Sequence, residues 1–210
     1  MRRRPLSPRL RLRRPAVRPC QAVAMDPKTN IPPWPAVDPA CGGVRLRRFR
    51  DEDANMAREL SLDEYVPTIG TLPARATEEE ALAWVERQRR HHVRGTGFAF
   101  CIADAASDRP LGQIGLWTRE LGAGRAQAGY AVAPGARGRR AGAQALLALL
   151  EFGWTIPALH RVELLIEPWN TASTRTAEYA GFTREGLLRG HQEIAGERRD
   201  MLIYAAVRGQ

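Results

Sequence analysis

No apolar run in this sequence approaches the ~20 residues needed to span a bilayer as a helix, so a helical membrane span is not expected. Cysteine is scarce. Cys20, Cys41 and Cys101 are scattered and odd in number, which fits neither a disulfide framework nor a metal-binding spacing and makes a reducing cytoplasm the default expectation. His91 and His92 are adjacent with no third ligand near them; neighbours do not share a helix face, so no metal site is expected. The common nucleotide fingerprints are missing too: there is no Gly-x-Gly-x-x-Gly, and no Lys-Ser or Lys-Thr follows a glycine loop. There is no internal repeat.

Acid is absent from residues 1–24, which hold eight Arg. The whole chain carries +9, so residues 25–210 carry 9 − 8 = +1. The folded part therefore gives no charge argument for a nucleic-acid partner. The Arg-rich head lacks the apolar stretch of a secretory signal, and Pro5, Pro8, Pro15 and Pro19 oppose a helix. It reads as translated sequence upstream of a true start at Met25; a transit peptide or an RNA-gripping tail are the alternatives. Residues 26–43, with Ile31-Pro-Pro-Trp34-Pro35 and Cys41-Gly-Gly43, are loop-like. Disorder or an extended arm is expected over 1–43, with one domain over 44–207.

What remains is ordinary globular material: 44% apolar residues, enough for one domain with a core. Val44–Phe49 alternates apolar and basic as a half-buried strand does. Asp51, Glu52 and Asp53 favour the start of a helix through Leu60. Residues 61–76 look irregular. Thr77-Glu-Glu-Glu80 is a capping box opening a helix with Leu82, Trp84 and Val85, past whose end His91 and His92 should lie. Strands are predicted at Phe98–Ala103, Leu111–Trp117, Ala126–Val132, Arg161–Ile166, Phe182–Leu188 and Met201–Val207, with a polar loop joining the last two. A helix over Ala141–Trp154 should make the strands on either side of it parallel. A short helix over Thr171–Ala180 should stop at a left-handed Gly181, with Phe182 folding back.

The most informative stretch is Ala126–Glu151: a strand, a break at Pro134-Gly135, a loop of arginines and glycines, then a helix of strong formers. That order presents the unpaired N–H groups of a helix start, and its positive dipole end, to an anion.

Gly129-Tyr130, Pro134 and Arg137-Gly138-Arg139-x-x-Gly142 resemble the acyl-CoA-binding motif of the GNAT N-acetyltransferases, Gln/Arg-x-x-Gly-x-Gly/Ala, with Arg140 where the inner glycine is usual. Asn170-x-x-Ser173, followed by Gly181-Phe182 and Gly186, is similar to the closing segment of the RimJ/RimL-type branch. The resemblance covers about 44–207. It implies one mixed α/β domain: a sheet of six or seven strands, a splayed parallel pair, and helices on both faces. It implies acetyl transfer from acetyl-CoA to a primary amine, either a protein N-terminus or a small amine such as an aminosugar, polyamine or antibiotic, by a monomer or homodimer. A non-catalytic acyl-CoA sensor is the competing class.

Carried over residue by residue, the resemblance puts the cofactor on Tyr130, Val132, Ala133, Arg137, Gly138, Arg139, Arg140, Ala141, Gly142, Ala143 and Asn170. The glycines of the loop would let the backbone approach the pyrophosphate. The family's usual thiolate-protonating Tyr corresponds to Ala177, which leaves Ser173 as the catalytic candidate; a helix-end role is its structural alternative, as it is for Asn170. Gln127 stands where relatives often carry Glu, which favours an amine of low pKa. Glu120 and Glu163 are the remaining candidate bases.

Overall fold

The computed structural model describes residues 31–210; the Arg-rich head lies outside them. The chain builds one eight-stranded mixed sheet. In chain order its elements are β1 (Ala40–Cys41), β2 (Val44–Arg47), α1 (Ala54–Ser61), α2 (Val66–Ile69), α3 (Glu78–Val93), β3 (Gly97–Asp104), β4 (Pro110–Trp117), β5 (Arg125–Val132), α4 (Ala141–Gly153), β6 (Arg161–Ile166), α5 (Thr171–Tyr179), β7 (Thr183–Ile194) and β8 (Glu197–Val207). The order across the sheet is β1-β2-β3-β4-β5-β6-β8-β7. Every neighbouring pair is antiparallel except β5 and β6. The eighth strand is the two-residue β1, too short to show a pattern in sequence.

Helices cover both faces, and the central strands are buried on both. Phe98, Phe100 and Ile102 of β3 join the larger core with Leu146, Leu149 and Phe152 of α4. The alternate residues Ala99 and Cys101 join a smaller core with Met56, Ala57 and Leu60 of α1 and Trp84 and Val85 of α3. This is the period-2 alternation of a strand serving two layers. The capping box forms as expected: the Glu80 N–H donates to Thr77 Oγ1 at 3.2 Å, and the Thr77 N–H to Glu80 Oε2 at 2.8 Å. Gly181 is left-handed, and Phe182 folds back into the core.

Four local expectations change. Asp53 does more than favour a helix dipole. It is buried and takes two bonds from the Arg47 guanidinium, at 2.8 and 2.9 Å, fixing the entry to α1 on β2. His91 and His92 lie inside the last turn of α3, not beyond it; His91 Nδ1 is 2.9 Å from Thr96 Oγ1 and His92 Nε2 is 3.0 Å from Pro32 O. The expected polar loop at 189–200 is instead the outer half of a long hairpin. It closes at Ala195-Gly196, both with positive φ, as tight hairpin turns require. Its residues are largely solvated, so no alternation marks it. Finally, residues 31–43 are not loose. Ile31 is buried in the larger core, and the Trp34 ring lies 4.6 Å from that of Phe100.

Candidate active site

The β5–β6 pairing lasts three residues, Arg125↔Arg161 to Gln127↔Glu163. Beyond it, β5 continues along β4 as far as Val132, and β6 along β8 as far as Ile166. The two strands therefore part from Ala128 and Leu164 onward. Successive backbone groups of a strand face opposite edges. The Ala133 N–H turns to β4, donating to Leu111 O at 2.8 Å, so the N–H and C=O of Val132 face the gap. Arg137 Nε takes that carbonyl at 3.0 Å.

The chain then turns through Pro134–Ala136 and enters α4 at Ala141. Gly138 and Arg140 are both left-handed, with φ of 76° and 60°. That explains why glycine is usual at position 140: the backbone there is costly for any residue with a Cβ, by roughly 1–2 kcal/mol. No side chain caps α4. Its first return bond is Gln144 N–H to Arg140 O at 3.0 Å, so the N–H groups of Ala141, Gly142 and Ala143 have no partner within the helix.

A Cβ on Gly142 would lie 3.0 Å from the Tyr130 ring. That ring leaves little room for a side chain at position 142. The packing sends the Tyr130 hydroxyl to α5, where it lies 3.0 Å from Ser173 Oγ. Burial raises the phenol's pKa against the opposing effect of its hydroxyl partners Ser173 and Thr176, so Tyr130 keeps its proton at neutral pH. The helix-end role falls to Asn170: its Oδ1 accepts the Ser173 N–H at 3.0 Å and leaves the Ser173 hydroxyl to face Tyr130. Ala177, at the family's usual Tyr position, is fully buried and points into the core.

These groups line one cleft of about 730 Å³. It gathers Tyr130, Val132, Arg137, Gly138, Arg140, Ala141, Gly142, Ala143, Asn170 and Ser173. Two expected members are missing. Ala133 is buried in the smaller core with its N–H already bonded to β4, and Arg139 does not line the cleft. The structure adds Arg175 and Tyr179 of α5 and Asp63, Tyr65 and Trp169 near the splay. No motif marked them; they come together only when α5 and the 61–76 segment fold over the gap. Arg140 lies over the Tyr179 ring at 5.1 Å. Arg137 is held by Asp63 at 2.6 Å, which ties the cofactor loop to the start of α2.

The three residues weighed for base chemistry lie elsewhere. Glu163 and Gln127 sit in the closed part of the parallel pair, and Glu163 is bonded to Arg161 at 2.6 Å. Glu120 precedes β5 and bonds Arg125 at 2.9 Å. The identity of residue 127 therefore carries no information about the amine.

A strand edge without a partner, a run of free helix N–H groups and flanking guanidinium groups suit an elongated, amide-rich, anionic ligand. CoA has that chemistry: pantetheine can pair with β5, and the pyrophosphate can meet α4. Among the described residues no group of metal-ligating side chains occurs, and no helix is long and apolar enough to cross a membrane.

The acetyltransferase (GNAT) domain family matches residues 44–183. The chain is 30% identical over 144 residues to YjcK of Bacillus subtilis, described as a probable N-acetyltransferase, covering 68% of this chain and 74% of that one. It is similar in structure to Mycobacterium smegmatis RimJ in complex with CoA-disulfide, with TM-score 0.70 and 27% identity over 81% of this chain and 84% of the other. The fold is also shared with RimL, a ribosomal L7/L12 alpha-N-protein acetyltransferase solved with coenzyme A, at TM-score 0.67 and 20% identity, covering 80% and 96% of the two chains. Cleft, topology and family match converge on one conclusion: this chain belongs to the GNAT family and is an acetyl-CoA-dependent N-acetyltransferase.

Proposed function

We propose that the acceptor is the α-amine of a protein N-terminus. The observation that supports this reading is the fold shared with the alpha-N-protein acetyltransferase RimL over four-fifths of the chain, beside the likeness to RimJ over a similar span. An α-amine also suits the chemistry. Its pKa is about 8, against about 10.4 for a lysine side chain, so freeing its lone pair near neutral pH requires less help.

Each part of the cleft has a task in this reading. The N–H groups of residues 141–143, with Arg140 and Arg175, hold the pyrophosphate. The edge of β5 from Ala128 to Val132 pairs with pantetheine. The Val132 N–H faces the thioester oxygen, where negative charge develops as the amine attacks. Ser173 donates its proton to the departing thiolate, and the protonated Tyr130 hydroxyl 3.0 Å behind it resupplies that proton. The amine nitrogen bonds to the acetyl carbon as the carbon–sulfur bond breaks. Across the reaction an ammonium and a thioester become an amide, a thiol and one released proton.

We place the enzyme in a reducing compartment, the cytoplasm; the two cysteines among the described residues, Cys41 and Cys101, are unpaired. The deciding experiment incubates the protein with acetyl-CoA and a panel of N-terminal peptides, aminosugars and polyamines, and reads acetyl addition by mass. Peptides acetylated at the α-amine are expected to dominate. Acetylation confined to the small amines would overturn the peptide reading.

A further inference from the structure

Beside the cleft, across the Tyr65–Trp169 pair, is a second opening of about 320 Å³. Tyr65 and Trp169 line both spaces. Their rings meet edge to face at 4.8 Å, and Trp169 is 59% exposed. The remaining walls are Glu64 and Thr68 from the 61–76 segment, Glu167 from the end of β6, and Ile194, Ala195 and Arg199 from the tip of the β7–β8 hairpin.

Glu167 is the unusual member. It is only 4% exposed, in a class of residue that is rarely buried without a partner. Its nearest cation is Arg199, whose Nε is 3.9 Å away, beyond hydrogen-bond reach. Arg199 Nη2 is engaged by Glu197 at 2.6 Å. The other ionisable groups facing Glu167 are Glu64, an acid, and Tyr65, whose phenol is raised by burial, by its hydrogen bond to the Glu167 carboxylate and by that carboxylate's charge; the bond orients Glu167 without neutralising it. The pocket walls thus carry two carboxylates against one guanidinium. Glu167 directly follows Ile166, and Leu164, Leu165 and Ile166 line the cleft where the strands part. It is a buried carboxylate at the reaction end of the splay, with an open space before it and no hydrogen-bonded cation.

We propose that this pocket receives the acceptor as a protonated α-amine, bounded by Glu64, Tyr65, Thr68, Trp169 and Arg199, and that the Glu167 carboxylate takes the proton that frees its lone pair. The proposal rests on the α-amine reading above and deepens it by naming the acceptor's site and base. The aromatic pair favours a cation at its ring faces. The volume is at the small end of ligand pockets, suited to one terminal residue, with the following chain passing over exposed Trp169. The proton balance is simple. One proton of the ammonium goes to Glu167 and on to solvent. The nitrogen's second proton is lost as the amide forms, matching the one the thiolate gains through Ser173.

The test uses the full chain, acetyl-CoA and the dipeptide amide alanyl-alaninamide, with the N-acetylated amide as control. Glu167→Gln should lower kcat/KM at pH 7 by at least ~100-fold, the scale of a lost general base. CoA affinity and melting temperature should stay near the parent's. The deficit should shrink as pH rises past about 8, where the amine is already free. Glu167→Asp keeps a carboxylate and should recover part of the rate. A Glu167→Gln variant within about threefold of the parent at pH 7, or with a deficit that ignores pH, overturns the base assignment.

Binding is read separately, by titrating alanyl-alaninamide while following the indole N–H resonance of Trp169, assigned with Trp169→Phe. The amide should shift it, and the N-acetylated control should not. A signal unmoved at about 10 mM, above the usual KM range, overturns the pocket whatever the enzyme acetylates. An amide that binds without being acetylated supports the pocket and instead removes the α-amine function.

Discussion

The two ends of the cleft are built from different materials. At the phosphate end, between the tip of β5 and the start of α4, the working groups are backbone N–H groups oriented by two left-handed residues and an uncapped helix. At the other end, where the proposed mechanism puts the reaction, the groups are side chains, Ser173 and Tyr130, brought together from positions 43 residues apart. Backbone groups exist whatever residue stands there, so the first end tolerates Arg140 in place of the usual glycine at a modest cost in strain. Side-chain groups vanish with one substitution.

The largest expected effect breaks the reaction end. Ser173→Ala should lower turnover on an assigned substrate by 10²–10⁴-fold, about 3–5 kcal/mol of barrier. Acetyl-CoA affinity, a ground-state property, should hardly move. Because Asn170 provides the cap, stability should fall only by the lost hydroxyl pair, about 1 kcal/mol. Steady-state kinetics beside calorimetry reads both; turnover within about threefold of the parent would remove Ser173 from the mechanism.

Gly142→Asp attacks the phosphate end. Its Cβ would press on the Tyr130 ring at 3.0 Å, and its charge would oppose the pyrophosphate. CoA binding should weaken by at least ~2 kcal/mol, about 30-fold. Unchanged affinity by titration calorimetry would mean the anion does not bind at this helix start.

The tie between the cofactor loop and the α2 segment can be loosened by acid. Burial opposes the charge of Asp63, but the N–H groups of Val66 and Tyr65 and the Arg137 guanidinium outweigh it and hold the carboxyl below its usual 3.8. A depressed folded-state pKa contributes stability above the unfolded value and loses it as pH falls through the folded one. The melting temperature should therefore drop below about pH 4 partly through this group. In Asp63→Asn that part of the drop should be missing, a difference of at most ~1 kcal/mol for so exposed a pair. Identical acid limbs in parent and variant would mean the tie contributes nothing measurable.

The smallest effect sharpens the comparison most. Arg140→Gly removes the left-handed strain and returns part of the gain as unfolded-chain entropy. Stability should change by less than about 1 kcal/mol, and CoA affinity should stay within about threefold if the backbone is the main ligand. A large loss of affinity would show that the guanidinium itself holds a phosphate.

Legibility in the sequence followed the same division. The β5–loop–α4 unit was readable because its glycines, proline and arginines are adjacent and each answers a local backbone demand. So was α5, from Asn170 to Gly181, although which of its two polar residues caps the helix is decided by the bond from the Ser173 N–H to Asn170 Oδ1. The close approach of Gly142 to the Tyr130 ring was not readable, since it depends on a residue twelve positions earlier in the chain. Nor was Glu167: a lone acid after a strand has no pattern, and its burial depends on α2 and the hairpin tip closing over it. The outer halves of β7 and β8 escaped because a strand largely solvated on both faces has no apolar alternation. The packing of 31–43 escaped because Ile31 and Trp34 sit among prolines that mark no regular element.

The seam in the sheet has a consequence for how the molecule comes apart. Between five antiparallel strands on one side and three on the other, the ladder is only three residue pairs of parallel pairing; the packing of α4 and α5, two bonds to the Gly124 carbonyl and the Tyr65–Trp169 pair add to it. Parallel pairing across a long crossover is among the slower contacts for a chain to make, because loop closure must precede any gain. The cleft should therefore be among the last features completed in folding and among the first lost, opening like a zip while each half keeps its own hydrogen bonds. A cofactor lying along that seam touches both halves and staples them. At a hundred times its Kd it would add about 2.7 kcal/mol to the folded state, so the enzyme in a cell rich in acetyl-CoA would be a sturdier object than the same chain purified alone.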